Sequence, residues 1–311
     1  MTVSYEIQAD IINGMRIQEQ KYLCGDYLYQ DSSNCSRLNL PQSAIDVTCR
    51  TSMMQWMKTA VNFIGFDLEV VEISMSYLDR FLDTPAGVDA KNCRILYQLA
   101  SMTALYTAVK ITCNEALTPK LLEELSQGAY KAAQFEEMEA IMLAALSWRV
   151  NPCTGVSFVR ETVALLPAHI FQTEAVKVAV VETARLQAEW AVEDYDLLTV
   201  KKSVIAFAAV ANSLRCHKVR CNLKTFLQNL LSDETDAILD LQHAIFLQNT
   251  LREALPAPIR DDCSSTQSSS VFELDDEGRP KETAVATSSS SMPWGKSPRS
   301  VAYRKVAAYF F

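Results

Sequence analysis

At 311 residues the chain is long enough for about two domains with full hydrophobic cores, so no disulfide or metal staple is needed to hold a fold. Its formal net charge of −8, with no long lysine or arginine run, disfavours nucleic acid and anionic membranes as partners and leaves other proteins as the expected ones. With 49% hydrophobic residues, only 8 glycines and 10 prolines, and apolar residues at helical rather than alternating spacing, the expected fold class is all-α.

Residues 1 to 48 hold a helical stretch, about 3 to 22, and a connector containing Ser, Asn and Gly that runs to Pro41. Glu6 and Asp10 fall early, without a basic region followed by an apolar block, and later apolar runs are broken by charge before they reach bilayer-spanning length. Residence in the nucleus and cytoplasm is therefore expected. Residues 49 to 150 read as a first unit of five helices, at about 48–64, 67–83, 90–113, 118–127 and 131–148. Thr118 is placed as an N-cap before Pro119 in the first turn, and Gly128 marks the stop, so the fourth helix is short.

Asn151 and Pro152 break the pattern, and residues 151 to 258 repeat it at about 154–166, 170–193, 198–216, 221–231 and 234–253. Each unit has a long apolar third helix and a short fourth one, which predicts two five-helix folds in tandem. After Pro256 and Pro258 the composition turns to Ser, Thr, Asp and Glu, so residues 259 to 311 read as a disordered Ser-rich, acidic tail. The nine cysteines are scattered without a Cys-x-x-Cys pair and are expected to be free thiols. Cys216, His217 and Cys221 come nearest to a metal cluster but lack a second pair at zinc spacing, so neither metal nor cofactor is expected.

Four charges fall where the helical wheel puts apolar residues. Arg50 shares a sector with Met53, Met57, Ala60, Val61 and Ile64; Lys110 lies on the stripe of Leu96, Leu99, Ala100, Thr103 and Thr107. Glu139 sits among Phe135, Met138, Met142 and Leu146, and Asp79 lies at the margin of a helix that is apolar on two sides and so should be central to its bundle. A buried charge without an opposite charge or hydrogen bonds costs several kcal/mol. Arg50 and Asp79, early in adjacent helices, fit an internal salt bridge. Lys110 and Glu139, near places where a helix can reach the surface, fit either a protein interface or a structural ion pair.

These positions resemble the cyclins. The chain reads RTSMMQW from Arg50, YLDRFL from Tyr77, AVK from Ala108 and LTP from Leu117, with Met138 and Glu139 before Leu146 and Trp148. Arg50, Asp79, Leu99, Lys110 and Glu139 match the five most characteristic cyclin-box residues, and SVIA from Ser203 is similar to the third helix of a C-terminal cyclin fold. The resemblance implies a non-catalytic subunit that binds and activates a cyclin-dependent serine/threonine kinase, with Lys110 and Glu139 bonding backbone around the kinase C-helix. Arg50, Asp79 and Leu99 would be structural. It further implies that Met53, Trp56 and Gln98 could belong to a patch that docks Arg-x-Leu segments of substrates or inhibitors, although Cys49, Ser52, Met53 and Thr59 depart from its usual residues.

In the tail, Ser297 before Pro298 and Arg299 forms a serine-proline site of the kind a cyclin-dependent kinase would phosphorylate. Residues 261 to 291 resemble the Pro, Glu, Ser and Thr-rich segments of rapidly degraded cyclins, which implies a ubiquitin ligase as a tail partner, and Arg37 to Leu40 fits a loose destruction-box pattern. A DNA-binding cyclin fold of the initiation-factor IIB type would be basic with a zinc ribbon, and this chain has neither feature. A retinoblastoma-type scaffold would not need the five-residue match. No glycine-rich phosphate loop, His-Glu-x-x-His pair or nucleophile elbow supports an enzyme.

Overall fold

The structure is a computed structural model that describes residues 2–29, 44–113, 117–221, 235–257 and 259–260, with the side chains of residues 2–5 and 235–241 excepted. The described residues form helices and no strand. In chain order these are α1 (Thr2–Glu19), α2 (Val47–Ile64), α3 (Glu69–Leu82), α4 (Val88–Asn92), α5 (Arg94–Thr112), α6 (Pro119–Leu125), α7 (Ala132–Ala145), α8 (Gly155–Leu165), α9 (Glu174–Glu193), α10 (Lys202–Cys216) and α11 (Thr235–Glu253). Among them none is long and apolar enough to cross a membrane.

Local chemistry sets the boundaries. Asp46 accepts the Cys49 N–H to start α2, and Gly65, at φ 89°, supplies the left-handed turn that ends it. Thr118 caps α6 by accepting from the Leu121 N–H with Pro119 behind it, and Thr154 and Thr173 cap α8 and α9 in the same way. The expected third helix is broken: Cys93 is extended at φ −137°, which separates α4 from α5. The expected fifth helix also stops early, because Ser147 and Trp148 turn left-handed at φ 53° and 59°. The expected helix at 221–231 and the tail beyond Arg260, with Ser297 and the Arg37–Leu40 segment, lie outside the described residues.

Two cores result. The first gathers α2, α3, α5, α6 and α7 around α3, which buries residues on all sides, including Tyr77, Leu78, Phe81 and Leu82, as its two apolar faces require. The second gathers α8, α9 and α11 around α10, whose small residues Ala206, Ala208, Ala209 and Ala211 let neighbouring helices approach closely. The N-terminal helix α1 bypasses the unit that follows it in sequence. It lies along α8, and Ile12 is fully buried in the second core.

Candidate functional site

Arg50 and Asp79 meet in a two-pronged pair. Arg50 Nη2 donates to Asp79 Oδ2 at 2.8 Å and Nε to Oδ1 at 3.0 Å, with the two residues 2% and 3% exposed. Burial works against the guanidinium's charge, but the Asp79 carboxylate and its hydrogen bonds outweigh that and hold the group more strongly protonated than usual. Arg50 Nη1 reaches further, donating to the Val192 carbonyl at 2.9 Å in the last turn of α9, where a cation suits both the free carbonyls and the helix dipole. Tyr27 completes the shell by donating its hydroxyl to Asp79 Oδ1 at 2.8 Å, and the Tyr195 ring lies 5.7 Å from the guanidinium. The pair therefore joins the connector, the first unit and the second unit at one point.

Lys110, in the last turn of α5, and Glu139, in the middle of α7, are also paired. Lys110 Nζ donates to Glu139 Oε2 at 3.0 Å and Oε1 at 3.2 Å. The environment differs from that of the first pair: the lysine side chain is 54% exposed while the glutamate side chain is 12% exposed. Thr107 donates to the inner carboxylate oxygen at 3.4 Å, and the ammonium sits 5.4 Å from the Tyr106 ring. The hydrogen bonds that Lys110 donates to Glu139 raise its proton affinity. An ammonium has three N–H donors, so two bonds to Glu139 leave one directed away from it. The carboxylate is a buried anchor and the ammonium an outward-facing donor.

The other residues singled out from sequence are placed less openly. Leu99 is 5% exposed in the first core, and Met53 and Trp56 are buried beside it. Gln98 is half-buried, its amide oxygen held by the Tyr130 hydroxyl at 2.8 Å. Met53 and Trp56 thus give a docking patch little surface.

With this geometry in hand, the comparisons are specific. Residues 10–151 match the family described as cyclin, N-terminal domain. The chain belongs to the cyclin family.

The cyclins are non-catalytic regulatory subunits of kinases, and this member is related to cell-cycle types. It is 24% identical to the G1/S-specific cyclin-D1 of Danio rerio over 223 residues, which are 68% of this chain and 74% of that protein. It is 28% identical to the cyclin-D3-3 of Arabidopsis thaliana over 115 residues, 36% of this chain and 31% of that one. Among solved structures, a viral cyclin from herpesvirus saimiri superimposes with a TM-score of 0.56 at 16% identity, covering 79% of this chain and 98% of the viral one. That likeness shows the cyclin fold.

Two carboxylates of this cyclin escaped the wheel. Glu72 on α3 is 5% exposed and accepts the Gly155 N–H at 2.7 Å, at the start of α8. Burial raises its pKa to about 6 in spite of Lys202 and the Gly155 bond. Glu19, at the end of α1, is 3% exposed and accepts the Ser203 N–H at 3.0 Å in the first turn of α10. Each carboxylate meets the N-terminus of a second-unit helix, where unpaired N–H groups favour an anion. Glu72 hid in an apolar helix read as doubly covered; a buried acid across from a threonine-capped helix start was the available signal.

The cysteines need one correction. Cys24, Cys49, Cys93, Cys113, Cys153 and Cys221 are free thiols, whereas Cys216 is disulfide-bonded. Isolated spacing in sequence does not report which thiols folding brings together.

Proposed function

We propose that this cyclin binds and allosterically activates a cyclin-dependent serine/threonine kinase, and so controls cell-cycle progression, through a surface centred on Lys110 and Glu139. The observation that carries the reading is the asymmetry of that pair, with the Glu139 side chain 12% exposed in the bundle and the Lys110 side chain 54% exposed. A fixed donor on a rigid helix end loses little entropy when it grips a partner's backbone. A kinase helix that exchanges between inactive and active positions shifts toward the one this surface binds better, with no chemistry performed by the cyclin itself. The family supports the class of partner, and Leu99 and the Arg50–Asp79 pair are buried in the interior of the same unit.

The test is a reconstituted kinase assay run beside thermal melts of Lys110→Ala, Glu139→Ala and Arg50→Ala. Lys110→Ala and Glu139→Ala should each weaken activation by about tenfold, which corresponds to about 1.4 kcal/mol of binding, without moving the melting temperature greatly. Arg50→Ala should lower stability as well. An equal loss of stability in all three would make the charges structural only and sink the proposal. A truncation after Pro258 should leave activation intact and lengthen the lifetime of the protein in cells.

A further inference from the structure

Helix α1 is apolar on two opposite sides. Its inner side is occupied: Ile12 is fully buried in the second core and Gln8 reaches Glu161 of α8, while Gln18, at the C-terminal end of the helix and on the other side, donates to the Asn151 carbonyl at 2.6 Å. Its outer side carries Ile7, Ile11 and Ile17, which are 55%, 42% and 67% exposed. At roughly 100° per residue these three fall within about a third of the helix circumference. Exposed Glu6 and Asp10 lie on the same side. A solvent-facing helix side is normally polar, and aligned isoleucines with an acidic flank mark a surface that another element covers.

We propose that this outer face of α1 is the docking site for the chain's own segment Tyr303–Phe311, YRKVAAYFF. Three properties select that occupant. Tyr303, Val306, Ala307 and Phe310 recur at i, i+3, i+4 and i+7, so the segment can present one apolar side to the isoleucines as an amphipathic helix does to a groove. Arg304 and Lys305 bring positive charge to a face flanked by Glu6 and Asp10 in a chain whose net charge is −8. Reach is sufficient too: 42 residues, 261 to 302, separate the segment from Arg260. An unstructured chain of that length has a root-mean-square span of about 35 Å, comparable to the width of a domain. Tethering at that distance gives an effective concentration on the order of 1 mM, so a weak contact with a Kd of about 100 μM is mostly formed.

Hydrogen exchange on the full chain tests this, comparing the wild type with the outer-face variant Ile7→Gln/Ile17→Gln and with Phe310→Ser. In the wild type, amides of residues 303 to 310 should exchange about tenfold more slowly than in the isolated peptide, as expected for a tethered contact of that affinity. Both variants should abolish that protection. Glutamine keeps helix propensity and Ile12 is untouched, so α1 amides should stay protected in the double variant and show that α1 is still docked. Peptide-like exchange of 303 to 310 in the wild type would overturn the proposal. So would protection that survives Ile7→Gln/Ile17→Gln, which places the segment elsewhere, or protection that grows with protein concentration, which assigns the contact to a second copy.

Discussion

The Arg50 guanidinium donates to the Val192 carbonyl at 2.9 Å, so a side chain of α2 closes the last turn of α9. One residue thereby serves as a salt-bridge partner within the first unit and as a helix cap for the second. Removing it leaves the Asp79 carboxylate buried, with Tyr27 its remaining hydrogen-bond partner among the described residues, and frees a carbonyl at the unit boundary. Arg50→Ala should therefore cost about 3–5 kcal/mol, read as a lower urea midpoint. Arg50→Lys should recover little of the loss, because a single ammonium cannot reproduce the fork that spans Asp79 and Val192.

The Lys110–Glu139 pair predicts the opposite balance. The exchanged variant Lys110→Glu/Glu139→Lys keeps one charge of each sign at the pair but puts an ammonium at the buried position, so stability should fall by less than the roughly 3–5 kcal/mol that removing one partner of a buried pair costs. Kinase activation should nevertheless be lost, because the outward group becomes an acceptor instead of a donor. Retained activation by the exchanged variant would show that the pair only fastens α5 to α7.

Glu72 makes stability depend on pH in a defined direction. Its pKa is about 6 in the folded chain against an ordinary 4.5, so the folded state holds the proton more tightly than the unfolded state. The favourable contribution is complete below about pH 4.5 and is lost as pH rises through about 6. Glu72→Gln keeps an oxygen to accept the Gly155 N–H and removes the charge. Relative to the wild type it should gain about 2 kcal/mol on going from pH 4.5 to pH 7, measured by urea titration at both values. Burial lowers the pKa of His217, so its contribution to stability grows as pH rises, in the opposite sense. Its effect cancels when variant and wild type are subtracted.

Gly87 is a packing constraint. A Cβ there would lie 2.3 Å from the Phe81 carbonyl oxygen and 2.7 Å from the Leu82 Cα, both backbone atoms of α3 that cannot rotate away. Gly87→Ala should cost about 1–3 kcal/mol by overpacking, whereas Gly14→Ala, with nothing near its Cβ, should not destabilise. A pair of thermal melts decides it.

Much of this was legible in the sequence, for reasons that particular residues show. Thr118, Pro119 and Gly128 announced α6 because caps and stops act within a few residues of themselves. The two apolar sides of α3 announced its central place, and Arg50 and Asp79 betrayed their pairing because a buried charge demands a partner nearby. The break at Cys93 was invisible, since no glycine or proline marks it. The wheel left a protein interface and an internal Lys110–Glu139 bridge both open; the two do pair, because α5 and α7 are neighbours and a long lysine side chain can fold back and still face solvent. Arg50 to Val192 and Glu72 to Gly155 cross between units, and Glu19 to Ser203 ties α1 to α10. Helical periodicity describes one helix at a time and holds no information on which helix end comes to lie opposite.

The partnership of α1 with α8 also bears on synthesis. Glu19 and Gly155 stand 136 positions apart, so a ribosome must complete the whole first bundle before the partner of α1 exists. At about 5–20 residues per second that interval is on the order of ten seconds. Throughout it the nascent helix exposes Ile12 along with its outer isoleucines, as a greasy ribbon open to chaperones. The first core contains no residue of α1, whereas the second is built partly on Ile12.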